Sequence, residues 1–86
     1  MHYFPDNFIV RITGGARKHL LTRARISQAL ANQTEAVTID HPGSDPKILF
    51  LGVDSRGTEL EIIAVVLPGQ LLVFHAMPTH YRKARS

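Results

Sequence analysis

The sequence predicts an α+β protein in which two N-terminal helices pack on an antiparallel β-sheet of about four to five strands. Two observations carry that expectation. Helix-forming residues fill the stretch from Ala16 to Asn32, and beyond it the apolar pattern changes from helical to extended spacing, with Gly- and Pro-bearing turns between the segments. The elements follow in order. Phe8 to Thr13 is apolar and β-branched, which suits a first strand, and Gly14-Gly15 breaks it. Thr13 is placed to cap the next segment. From Ala16 to Ala24 the residues form an amphipathic helix, with Ala16, Leu20 and Leu21 on one side and Arg17, Lys18 and Arg23 on others. Ile26 to Asn32 reads as a second short helix, with Ser27 satisfying its unpaired amides and Asn32 ending it.

Ala36 to Asp40 then reads as a strand, followed by the loop His41-Pro42-Gly43-Ser44-Asp45-Pro46. Lys47 to Val53 is the next strand, Asp54-Ser55-Arg56-Gly57 a turn, Thr58 to Leu67 a strand, Pro68-Gly69 a turn, and Gln70 to Ala76 the last strand. The final three make an antiparallel meander whose apolar face needs cover from the helices.

A chain of 86 residues, without repeats or linkers, is expected to be one domain spanning residues 1–86. At this size folding buries only about 60% of the unfolded surface. The absence of cysteine excludes a disulfide framework and thiolate metal sites, which makes the cytoplasm the expected compartment. The longest apolar run, Ile62 to Leu67, is far shorter than the roughly 20 residues of a membrane span, so no membrane partner is expected. The N-terminus lacks the pattern of a secretory signal.

The net charge of +3 is unevenly distributed. Arg17, Lys18, Arg23 and Arg25 form one basic cluster, and Arg82, Lys83 and Arg85 another. Residues 26–81 carry Lys47 and Arg56 against six carboxylates, two minus six, or −4. One face should attract polyanions; the other reading is a solvated helix face and a frayed tail.

The run Phe50-Leu51-Gly52-Val53-Asp54-Ser55-Arg56-Gly57, an apolar strand, and a last strand ending His75-Ala76-Met77-Pro78 before a basic tail resemble the BrnT-type toxins of the RelE/ParE-like superfamily, or an uncharacterised relative of them. The resemblance spans roughly residues 8–85 and is best at Leu49–Gly57 and Leu71–Arg85. It implies the RelE/BrnT-like fold and a type II toxin: a ribonuclease that inhibits translation and is neutralised by a cognate antitoxin, encoded next to it. Only eight residues follow Pro78, too few for the long C-terminal helix common in that family.

A metal-independent ribonuclease needs a base for the RNA 2′-hydroxyl, cations for the phosphoryl oxygens and an acid for the leaving 5′ oxygen. His75 and His80 are the natural pair, because histidine ionises near neutral pH, and Arg56 could hold the phosphate. Arg17, Lys18, Arg23, Arg25, Arg82, Lys83 and Arg85 are candidate RNA contacts, and Tyr81 could stack on a splayed base. Each has a plainer reading. Strict alternation would put Leu71, Val73, His75 and Met77 on one face, making His75 a partly buried structural histidine if the first two are core. His80 lies in an expected loop or tail, Arg56 in a turn, and Arg23 could pair with Glu35 or Glu59.

His19 is a second-rank candidate. No cofactor is expected: His19, His75 and His80 lack metal-ligand spacing, and Gly14-Gly15 lacks the rest of a nucleotide-binding loop. Two other functions stay open. One is a non-catalytic protein- or RNA-binding module, in which an exposed sheet edge by Asp54, Glu59 and Glu61 accepts an antitoxin strand or a basic helix; the other is ParE-like inhibition of gyrase, with RNA or the ribosome as partner in the leading reading.

Overall fold

The computed structural model describes residues 9–17 and 21–84. Strands β1 (Ile9–Ile12), β2 (Gln33–Ile39), β3 (Lys47–Val53), β4 (Glu59–Leu67) and β5 (Gln70–Pro78) form one sheet in the order β1-β5-β4-β3-β2. Helix α1 (Arg23–Ala31) precedes β2, and the six-residue α2 (Thr79–Ala84) follows β5. β2 to β5 pair antiparallel in sequence order, whereas β1 pairs parallel with β5, Ile9 opposite Gln70 and Ile12 opposite Val73.

This corrects the expected two N-terminal helices on an antiparallel sheet. The fold is a five-stranded mixed sheet with one helix of substance. Of the expected first helix from Ala16 to Ala24, Ala16 and Arg17 belong to a 3-10 turn, Gly14–Arg17, where the Ala16 amide donates to the Thr13 hydroxyl and carbonyl, and Lys18 to Leu20 lie outside the described residues. Thr22 is the element that prevents continuity. Its backbone is extended (φ −84°, ψ 160°) and its hydroxyl accepts from the Arg25 amide, so α1 starts at Arg23 with Thr22, rather than Ser27, as its cap. Asn32 ends α1 as expected. The parallel pairing has a topological cause. β1 must lead the chain to the end of the sheet where α1 begins, and β5 runs toward that same end.

Alternation sorts the strands into two faces. Ile48, Phe50, Leu60, Ile62, Ala64, Leu71 and Val73 turn toward α1 and are buried with its Ile26, Ala29 and Leu30. Each large side chain so enclosed contributes roughly 1.5–3 kcal/mol. Ala16 and Leu21 are also buried, so the connection between β1 and α1 is pinned to the core at both ends. At Gly52, on the core-facing side of β3, the Ala29 carbonyl of α1 occupies the space a side chain would take. Leu49, Leu51, Val53, Ile63 and Val65 lie half-buried on the opposite face.

β5 departs from alternation. Ile63 pairs with His75 but Ala64 pairs with Val73, which leaves Phe74 as an extra residue, a β-bulge. The bulge reverses the phase of the strand. Leu71 and Val73 are buried before it, and Ala76 and Pro78 after it. No helix among the described residues is long and apolar enough to cross a membrane.

Candidate functional site

A carboxylate, Asp54, follows directly after β3. The Asp54 side chain is fully enclosed, and one oxygen, Oδ1, accepts from the Arg56 amide at 2.8 Å and the Thr58 amide at 3.0 Å. The other, Oδ2, accepts from Arg25 Nε at 2.7 Å. Asp54 therefore holds the β3–β4 turn closed and ties it to the first turn of α1. Burial pushes its carboxyl upward, but the Thr58 amide, the Arg25 guanidinium and the Arg56 amide outweigh that, and the group sits below the ordinary aspartate value. Gly57, at φ 78°, supplies the left-handed residue this turn requires.

The second feature lies on β4 and β5. Because of the bulge, His75 faces away from the core, opposite to the strict alternation that placed it with Leu71 and Val73. There its Nε2 is 2.9 Å from Glu61 Oε2. The Glu61 side chain is almost completely enclosed, 6% exposed, whereas that of His75 is 27% exposed. When Glu61 is ionised its carboxylate accepts, and Nε2 then carries the proton, with Nδ1 the other nitrogen of the neutral ring. One further step along the sheet, the Thr79 hydroxyl donates to Glu59 Oε1 at 2.8 Å and anchors the start of α2 to β4.

The candidate residues thus divide by location. Arg23 is exposed on the first turn of α1, Arg56 is exposed in the β3–β4 turn, and His80 and Tyr81 are exposed on α2, their rings 5.0 Å apart and nearly perpendicular. Pro78 pairs with Leu60 and Val53 with Glu59, so α2 and the β3–β4 turn leave the same end of the sheet. Arg25 ties α1 to that end as well, and it is committed to Asp54. Arg82 and Lys83 belong to α2, and Arg17 to the 3-10 turn packed on β5. Lys18, His19 and Arg85 lie outside the described residues. His80 stands on a short helix, not in a loop. Asp40 and Asp45 lie toward the opposite end, beyond Ile39 and before Lys47.

Sequence reasoning missed the roles of three residues: Glu61 and Asp54, which it read only as acids on or beside the meander, and Thr79. The first had a signal, since Glu61 is the one charged residue between Leu60 and Leu67, inside an otherwise apolar strand. Among the described residues, no three His, Asp or Glu side chains converge as a metal site.

Fold and site together define a small mixed-sheet protein with a histidine–carboxylate pair on the sheet face opposite α1. Comparison with family models, with curated proteins and with solved structures finds no match to the chain.

Proposed function

We propose that the chain is a metal-independent endoribonuclease that inhibits translation as the toxin of a type II toxin–antitoxin pair, acting in the cytoplasm and held inactive by a cognate antitoxin. The observation that carries this reading is the Glu61 carboxylate 2.9 Å from His75 Nε2 on the face opposite α1, on the strand that leads into the exposed His80 and Tyr81 of α2. Glu61 fixes the His75 ring so that Nδ1 takes the 2′-hydroxyl proton. The 2′ oxygen then bonds to the adjacent phosphorus, and the bond from phosphorus to the 5′ oxygen breaks. His80 protonates the departing 5′ oxygen, leaving a 2′,3′-cyclic phosphate and a free 5′-hydroxyl. The Arg56 guanidinium, on a turn made rigid by Asp54, meets the phosphoryl charge, and the Tyr81 ring stacks on a base.

Incubating the purified chain with RNA, and following total RNA after induced expression, tests this. His75→Ala is expected to slow cleavage by about 10²- to 10⁴-fold, the usual contribution of one general base. Glu61→Gln, which keeps the shape and removes the charge, is expected to give a smaller loss. Both variants should keep the wild-type circular dichroism spectrum. RNA left intact by the wild-type chain, or cut equally well by folded His75→Ala, sinks the proposal.

The half-buried apolar residues on the face opposite α1 favour a second reading, a non-catalytic binding module. RNA or protein binding with no cleavage by the wild-type chain is its expected signature.

A further inference from the structure

β2 forms one border of the sheet. It pairs with β3 on one side only, and its other side carries backbone amides and carbonyls that no other described strand meets. Natural border strands usually block this side with lysine, proline, a central bulge or extreme shortness. β2 carries one charge, Glu35, and in its central part none of these other devices: Gln33–Ile39 is seven residues long, reads Gln-Thr-Glu-Ala-Val-Thr-Ile, and its one irregularity lies between Gln33 and Glu35 at the α1 end. Val37, the fifth of these seven residues, is 50% exposed.

We propose that β2 pairs antiparallel with β2 of a second copy of this chain, joining two sheets into one of ten strands about a two-fold axis through Val37. The strand is self-complementary in that register. Val37 faces Val37, Ala36 faces Thr38, Glu35 faces Ile39, and Thr34 faces Asp40, so no charge opposes a like charge. Ile39 is itself paired with Lys47, on the same face as Glu35. Each Glu35 therefore falls in one cross-strand row with the second copy's Lys47, two strand spacings or about 10 Å away between Cα atoms, which two long side chains can span. Symmetry makes this attraction twice. An isologous contact of this kind closes on itself, which explains why an unprotected border need not grow into a fibre. The inference is independent of the ribonuclease reading.

Light scattering on the purified chain tests it. The wild type is expected at twice the monomer mass, and Val37→Lys, which puts two ammonium groups on the axis, as a monomer with an unchanged circular dichroism spectrum. Glu35→Lys is expected to weaken the dimer and Glu35→Lys with Lys47→Glu to restore it. The chain has no cysteine, so single cysteines report the register cleanly. Val37→Cys is expected to form a disulfide between copies on oxidation. Glu35→Cys is not, because the two positions lie four residues apart along the pairing, about 13 Å, beyond the reach of a disulfide. A wild type that stays monomeric at every concentration that remains in solution overturns the proposal. A dimer that survives Val37→Lys, or cross-linking at position 35 as fast as at 37, does the same.

Discussion

Gly52→Ala is expected to cost the fold at least about 3 kcal/mol, the upper end of what overpacking a core produces, and to lower the thermal midpoint by roughly 12–24 °C for a chain of this size. The added methyl would be driven into the Ala29 carbonyl, with the Gln33 backbone also crowding it. Neither obstacle is the flexible end of a side chain. Relief requires α1 to lift from β3, and that would open the contacts of Ile26, Ala29 and Leu30 with Phe50, all buried. Gly14→Ala is the matched control, since nothing lies within 4 Å of a Cβ there. Thermal melts of the two variants beside the wild type check the expectation. Equal midpoints for Gly52→Ala and Gly14→Ala would mean that α1 does not sit against β3 as closely as described.

Asp54→Ala is expected to be the next most damaging change, on the order of 3 kcal/mol. It removes three hydrogen bonds from one enclosed carboxylate and leaves the Arg25 guanidinium without its partner. The loss should depend on pH in a set direction. A carboxyl whose folded value is depressed contributes stability that is complete above its unfolded value, about 3.8, and disappears as pH falls below that through the folded value. Denaturant melts of the wild type and Asp54→Asn should therefore differ most at neutral pH and converge in acid. A gap that stays constant down to acid unfolding would show that the Asp54 charge contributes nothing.

Much of the sheet is legible in the sequence because its period-two pattern is strong where it matters. Lys47–Val53 emerges with the bounds expected, and Asp54 to Gly57 and Pro68-Gly69 turn the chain as their composition demands. The helical region is less legible for a local reason. Ala16 to Asn32 is uniformly rich in helix formers, and only the competition of the Thr22 hydroxyl for the Arg25 amide decides where one helix begins. The parallel partner of β1 is a long-range fact that no local pattern encodes. At the candidate site, the facing of the residues was not legible. His75 was assigned by alternation, and a single extra residue, Phe74, sends it to the other side of the sheet and beside Glu61. Gly52 carried a fainter sign, a lone glycine inside an apolar strand, which often marks the close approach of another backbone.

The parallel seam between β1 and β5 also sets the timetable of biosynthesis. Ile9 waits for Gln70, 61 positions later (70 − 9), so β1 emerges from the ribosome first and is the last strand whose partner exists. β2, β3 and β4 meet their neighbours through short connections and can pair as they are made. The β1 segment cannot take its native place until Gln70–Val73 has been made, and the long sequence separation makes the docking of this first strand onto the last the expected slow step in completing the sheet.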